Sequence, residues 1–187
     1  GIDHIFVKGV EIKSYYPVPE LRTSGDIDVI LRRDKFESAY KLLKESNIII
    51  TDYSTNVITA KVDDIEIEFH SNADVITDYF DDIFNLSFVK YEHTYSLKEY
   101  EHLLYIICHL CKHLAYRGAG IRMLMDIDVL VRSIPDFDLK RLMLMAEKAG
   151  IKQCTSVLLS LCKKWFNTPV ESSAQINDKL MDCFDRV

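Results

Sequence analysis

Arg22-Thr23-Ser24-Gly25-Asp26-Ile27-Asp28-Val29 is the stretch that decides the fold. From Asp26 to Leu31 polar residues first alternate with apolar ones, which is the period of a half-buried strand. On a strand, residues i and i+2 share a face. Asp26 and Asp28 therefore project together, and Ile27 and Val29 point the other way. Two carboxylates at that spacing suit a hard divalent cation. Magnesium takes one or two protein carboxylates, keeps waters and shares phosphate oxygens. An isolated D-x-D is most often the solvent face of an amphipathic strand. Here the turn Ser24-Gly25 comes immediately before it, a second strand-to-glycine turn, Val7-Lys8-Gly9, lies upstream, and an acidic strand follows.

That later strand is Ile65-Glu66-Ile67-Glu68-Phe69-His70. Glu66, Glu68 and His70 share one face, and Ile65, Ile67 and Phe69 the other. If it pairs beside the Asp26 strand, one glutamate joins the two aspartates. Three such carboxylates repel one another when empty, and the repulsion raises at least one proton affinity until metal relieves it.

Outward from these strands the chain changes texture. Residues 1–95 alternate short β-type runs with helices, and residues 96–187 read as helices throughout, so two domains are expected with those bounds. Ile5 to Lys8 reads as a strand ending at Gly9, followed by a short helix that Pro17 and Pro19 stop. Asp34, with Glu37 three residues on, reads as a capping box for a helix carrying Phe36, Ala39, Tyr40, Leu42 and Leu43 inward. Strands are predicted at Ile48 to Tyr53, Asn56 to Val62 and Ile65 to His70, with Ser54-Thr55 and Asp63-Asp64 as turns. Ser96 reads as the cap of a long helix, with Glu99 as its box partner, and Gly118 and Gly120 end that helix. Further helices are predicted at Arg122 to Ser133, from an Asp138 cap to Gly150, at Gln153 to Phe166, and at Ala174 to Phe184.

Bulk properties agree with a globular chain. Its 187 residues are enough to bury a core, with 48% apolar and 28% charged residues. No apolar run approaches the roughly 18 residues of a membrane span. The opening GIDHIFVKG has no basic region or cleavage signature of a signal peptide, and its abrupt β-type start implies residues upstream in the natural protein. The formal charge of −6 argues against non-specific nucleic-acid binding, although a local basic patch could still hold RNA. Cys108, Cys111, Cys154, Cys162 and Cys183 all lie in the second half. Cys108-x-x-Cys111 sits in a helical pattern with no second pair spaced for zinc. They read as buried reduced thiols, which implies a cytoplasmic protein.

The order of these features resembles a known family. Val7-Lys8-Gly9, Tyr15 to Pro19, Arg22, Gly25-Asp26-Ile27-Asp28 and Glu68-Phe69-His70 are similar to the uncharacterised nucleotidyltransferases of the DNA polymerase β-like superfamily. His109-Leu-Cys-Lys-His113 and Arg122-Met-Leu-Met-Asp126 are similar to that family's helical part, so the resemblance covers most of the chain. It implies an α+β fold, a nucleotidyltransferase-type mixed β-sheet with flanking helices, followed by an all-helical C-terminal domain. It also implies a magnesium-dependent transfer of a nucleoside monophosphate from a nucleoside triphosphate to a hydroxyl-bearing acceptor, with two Mg2+ ions when the triphosphate is bound. Asp26, Asp28 and Glu68 would bind metal and act in catalysis, with Glu66 as the alternative third carboxylate. Gly9 would mark the turn where the triphosphate nears the backbone, and the following helix N-terminus would favour its charge. Lys8, Arg22, Ser24 and Gly25 would contact nucleotide. The sequence departs from the superfamily in three ways: Val10 follows Gly9, sixteen residues separate Gly9 from Asp26, and the third carboxylate is Glu rather than the commoner Asp.

Weaker signals remain. His109 and His113 are i, i+4 on a helix, a spacing that suits zinc, but Leu110 and Cys111 break any H-E-x-x-H pattern. His109 and His113 read as contacts to nucleotide or acceptor, which the resemblance favours, or as hydrogen-bonding within the domain interface; His70 and Arg122 are further candidate substrate contacts. Met125-Asp126-Ile127-Asp128-Val129 echoes the Asp26 segment, but its neighbours suggest a helix, where Asp126 and Asp128 do not share a face. Asp126 could orient Arg122 or His113, and Asp81-Asp82 reads as a solvated loop or helix start. Two alternatives stand beside the transferase: a catalytically weak nucleotide-binding or antitoxin-like regulatory module, and a metal-dependent phosphohydrolase. Acceptor, base preference and oligomeric state carry no signal in these residues.

Overall fold

A computed structural model of the protein describes residues 1–116 and 118–171. Among these residues seven strands form: β1 (His4–Val7), β2 (Asp26–Leu31), β3 (Ile49–Tyr53), β4 (Val57–Val62), β5 (Ile65–His70), β6 (Ser87–Tyr91) and β7 (Thr94–Leu97). They make one mixed sheet in the order β3-β4-β5-β2-β1-β7-β6. The central β2 pairs antiparallel with β1 and parallel with β5. That parallel pairing needs a long crossover, which α2 (Phe36–Glu45) and the β3–β4 hairpin supply. Asp63-Asp64 is the two-residue turn between β4 and β5, with Val62 paired to Ile65 and Asp63 at φ 54.

The alternation of β2 separates two faces. Val29 and Leu31 pack with Ile58 of β4 and with Phe36 and Ala39 of α2, joined by Ile27, Ile67 and Phe69. Full burial of side chains of this size contributes roughly 1.5–3 kcal/mol each. The opposite face carries Asp28 and Ile30, beside Val7 and Ile5 of β1 in the pairing register. It is also the face of Glu68 and His70 on β5.

The chain divides into two compact units. One is Gly1–Asp74 with Phe80–Lys98, which holds the whole sheet, and the other is Val75–Tyr79 with the chain from Glu99 onward. The second unit contains α3 (Glu99–Tyr116), α4 (Ile121–Ser133), α5 (Leu139–Lys148) and α6 (Lys152–Phe166). Here α3 buries Leu103, Leu104, Ile107 and Leu110, the helical stripe legible in the sequence. Asp138 caps α5 as expected, accepting from the backbone N–H groups of Lys140 and Arg141. Gly150, at φ +73, follows its end. Asp126 and Asp128 both lie on helix α4, so the echo of the Asp26 segment is not a second strand.

Four expectations are corrected. Ser96 does not cap α3: Ser96 and Leu97 belong to β7, and the Ser96 hydroxyl donates to Glu11 Oε1 at 3.2 Å. The β6–β7 hairpin has no counterpart among the predicted strands. Its outer strand β6 is mostly exposed on both faces, so its apolar residues show no burial period. Asp34 does not cap α2 either, because a 3-10 turn over Arg33–Lys35 precedes that helix and Lys35 takes the cap position. Finally, Cys111 and Cys154 are joined in a disulfide. Packing of α3 against α6 brings their Cα atoms to 6.8 Å, a proximity no spacing along one helix can announce. Cys108 and Cys162 remain free and buried, and burial pushes each thiol up to about 12. The helix expected at Ala174 to Phe184, with Cys183, lies outside the described residues.

Candidate active site

The parallel β2–β5 ladder sets Asp26 opposite Glu66, Asp28 opposite Glu68 and Ile30 opposite His70. Side chains paired across a sheet share a face, so the two acidic runs form a short carboxylate ladder that His70 closes at its inner end. Exposure grades along it. Asp28 and His70 are each 3% exposed, Asp26 and Glu68 are half-buried, and Glu66 is exposed. Of the two glutamates, Glu68 therefore neighbours the buried aspartate.

Ligand atoms of Asp28, Glu68 and His70 lie within 4.8 Å of one another, and among the described residues no other group of three metal-ligating side chains converges this way. Asp26 sits two residues before Asp28 on the same strand face but is not part of that closest group. His70 Nε2 faces Asp28 Oδ1 at 3.1 Å and Glu68 Oε2 at 3.3 Å. His70 Nδ1 is buried without a hydrogen-bond partner. The ring's ties therefore all run to the two carboxylates, through Nε2.

Lys8 completes the cluster. Its ammonium donates to Asp28 Oδ1 at 2.6 Å. Burial raises the Asp28 carboxyl most, but the His70 hydrogen bond and the Lys8 charge together outweigh it, and Asp28 sits below the usual carboxylate value. Glu68 moves the other way. Burial raises it most, His70 opposes, and the Asp28 charge adds to the rise. One carboxylate is thus held ionised while its neighbour keeps its proton more readily.

The glycine turns have different reasons. A Cβ on Gly9 would fall 2.1 Å from Ser24 Oγ and 2.8 Å from Arg22 Nη1. The room that Gly9 leaves is filled by Ser24 and Arg22, which locks the first turn of α1 (Gly9–Ile12) onto the loop before β2. Arg22 is buried, and its Nη1 donates to the Thr23 carbonyl at 3.0 Å. The Ser24 hydroxyl donates to the Asp26 carbonyl at 2.9 Å. A Cβ on Gly25 would meet nothing within 4 Å, so sterics do not require glycine there. α1 is a single turn followed by a 3-10 turn, Lys13–Tyr15, so little helix dipole accumulates there.

His109 and His113 lie on α3 with ring centroids 4.5 Å apart, both half-buried. They form no three-residue ligand cluster with other described residues, and zinc gains no support from them. Arg122 is exposed in the first turn of α4. These three belong to the helical unit, whereas Lys8, Gly9, Arg22, Ser24, Gly25, Asp26, Asp28, Glu68 and His70 belong to the sheet unit. The Lys8–Asp28 ion pair is the feature that sequence reasoning misses, since the resemblance directs Lys8 to nucleotide. The available signal is its place at the end of a strand adjacent to Asp28.

A family model described as uncharacterised nucleotidyltransferase matches residues 1–167. No curated protein matches the chain.

Proposed function

Since the chain belongs to this uncharacterised nucleotidyltransferase family, we propose that it transfers a nucleoside monophosphate from a nucleoside triphosphate to a hydroxyl-bearing acceptor. The observation that carries the reading is the convergence of Asp28, Glu68 and His70 ligand atoms within 4.8 Å on adjacent parallel strands.

The donor set fits a divalent cation. Carboxylate oxygens suit Mg2+, whereas an imidazole suits later transition ions. Asp28 and Glu68 would hold the metal, with Asp26 beside them for a second ion. When bound, Mg2+ supplies positive charge to the triphosphate oxygens and to the developing charge of the reaction.

The remaining work falls to this chain's side chains. Arg22, Ser24 and Lys8 offer donors around the Gly9 turn, where they orient the triphosphate. The acceptor hydroxyl oxygen attacks the α-phosphorus, and the bond to the bridging oxygen breaks. Pyrophosphate leaves with that electron pair. Glu68 takes the hydroxyl proton on its carboxylate. On the same reading the unit that holds the sheet, Gly1–Asp74 with Phe80–Lys98, is the catalytic core. The acidic charge of −6 disfavours a nucleic-acid acceptor. The buried free thiols favour the cytoplasm, and the Cys111–Cys154 bridge weighs against it. No helix among the described residues is long and apolar enough to cross a membrane.

One observation favours a second reading. Asp28 is already paired with the Lys8 ammonium and in hydrogen-bond contact with His70, as suits a binding or regulatory module without turnover. Calorimetric titration of the four ribonucleoside triphosphates, with and without Mg2+, tests the site on the native chain and on Asp26→Asn/Asp28→Asn. Magnesium-dependent binding lost in the variant supports it, and no binding by the folded native chain refutes it. Pyrophosphate release only with an acceptor marks a transferase. Binding without product marks the module, and free nucleotide without acceptor marks a phosphohydrolase.

A further inference from the structure

Lys8 occupies a backbone conformation that lysine rarely adopts, φ 57 and ψ −128. Strain of this kind persists only where the surroundings over-determine it. Here the contact that rewards it is the 2.6 Å ion pair with Asp28, and the Lys8 side chain is only 16% exposed. A carboxylate oxygen has about two lone-pair directions. On Asp28 Oδ1 they are taken by Lys8 Nζ at 2.6 Å and His70 Nε2 at 3.1 Å. A cation that takes Oδ1 must then displace one donor, and one that takes the other carboxylate oxygen must still escape the charge of the ammonium.

We propose that Lys8 is a resident counter-ion for the metal site, one that a divalent cation displaces from Asp28 and that the incoming triphosphate then receives. The inference rests on Asp28 being a metal ligand. Lys8 is the donor that leaves, because its charge is fixed and its stem is long, whereas the His70 ring is buried among its partners. The consequence is coupling. Without nucleotide, the metal competes against an intramolecular ion pair and binds weakly. With nucleotide, the phosphates take over the ammonium and the metal binds tightly. The positive-φ backbone holds the side chain at the junction of the two partners, so the exchange needs only side-chain rotation.

The test measures Mn2+ binding by electron paramagnetic resonance of the free ion, with and without a non-hydrolysable ATP analogue. Native protein, Lys8→Met, Lys8→Gly and Asp28→Asn are compared. Lys8→Gly also relieves the backbone strain, so it reports even where Lys8→Met folds poorly. The expected result is about tenfold tighter Mn2+ binding by the Lys8 variants in the absence of nucleotide, the order of one charge-assisted contact. The enhancement by the ATP analogue shrinks in parallel. Unchanged or weaker Mn2+ binding in both Lys8 variants, with binding still lost in Asp28→Asn, overturns the proposal and leaves the metal site standing. Mn2+ binding that survives Asp28→Asn overturns both.

Discussion

Asp28 and Glu68 stand directly opposite one another in the parallel β2–β5 ladder although forty positions separate them in the chain. Antiparallel hairpins bring near neighbours together, whereas a parallel pair needs a crossover. The helix α2 and the β3–β4 hairpin exist at this point of the chain to return β5 alongside β2. The carboxylate cluster is therefore a product of topology, and every part of the crossover contributes to it.

Asp28→Asn is expected to abolish magnesium-dependent triphosphate binding and turnover. Asparagine keeps a carbonyl oxygen that Lys8 and His70 can still donate to, but the half-buried ammonium loses its counter-charge. Stability should fall by about 1–3 kcal/mol, the scale for an unsatisfied buried group. Calorimetry and urea denaturation measure the two effects. Turnover retained by a folded Asp28→Asn protein would refute the metal-ligand role.

Gly9→Ala should destabilise the sheet unit, because its methyl group lands 2.1 Å from Ser24 Oγ and 3.0 Å from Ser24 Cβ. Overpacking of this kind costs about 1–3 kcal/mol. Ser24→Gly removes both clashes and should restore part of the loss in the double variant, while the 2.8 Å approach to Arg22 Nη1 remains. Chemical denaturation of the single and double variants gives the coupling energy. Strict additivity would mean that Gly9 is not shaped by Ser24.

Asp3 gives the clearest pH dependence. Its hydrogen bond from Arg32 at 2.9 Å and its contact with His93 at 2.8 Å hold its carboxyl down to about 2, against roughly 3.9 in the unfolded chain. A depressed folded value means the contribution is complete above the unfolded value and fades as pH falls through the folded one. Native protein should lose this part of its stability between pH 4 and pH 2 on those figures. Asp3→Asn should lack it at neutral pH, by about 0.5–1 kcal/mol for a solvent-screened pair, and show a flatter acid limb. Parallel acid limbs for the two proteins would refute the assignment.

Reduction of Cys111–Cys154 should weaken the helical unit. The bridge closes a loop with sequence separation 43, and loops of that size gain about 2–4 kcal/mol from a disulfide. Cys111→Ser/Cys154→Ser should reproduce the loss and make stability insensitive to dithiothreitol. A variant as stable as the oxidised protein would show that the bridge constrains nothing.

What can be read directly from residue order is local. Asp26-Ile27-Asp28 and Glu66-Ile67-Glu68 declare their strands by alternation, Asp63-Asp64 declares its turn, and Asp138 declares its cap, because each signal lies within a few residues. The common face of Glu66, Glu68 and His70 is equally visible. Ser96 misleads because Ser-x-x-Glu matches a capping box even where a strand claims the serine. The strand β6 has no buried face to announce it. Lys8 with Asp28, and Cys111 with Cys154, meet only through tertiary packing, which no single segment encodes.

His70 separates two accounts of the cluster. If it ligates the metal, the site offers a nitrogen beside two carboxylates, and imidazole favours later transition ions such as Co2+ far more than Mg2+. If it only donates Nε2–H to Asp28, it orients a ligand and affects every metal alike. His70→Gln retains a donor while removing the ring nitrogen. Direct ligation predicts that Co2+ affinity falls far more than Mg2+ affinity and that the visible absorption bands of bound Co2+ shift. Equal losses for both ions with an unshifted spectrum would instead make His70 a positioning residue. The buried Nδ1 without a partner is consistent with a ring held only through Nε2, so the spectrum of bound Co2+ is the measurement that decides between ligand and donor.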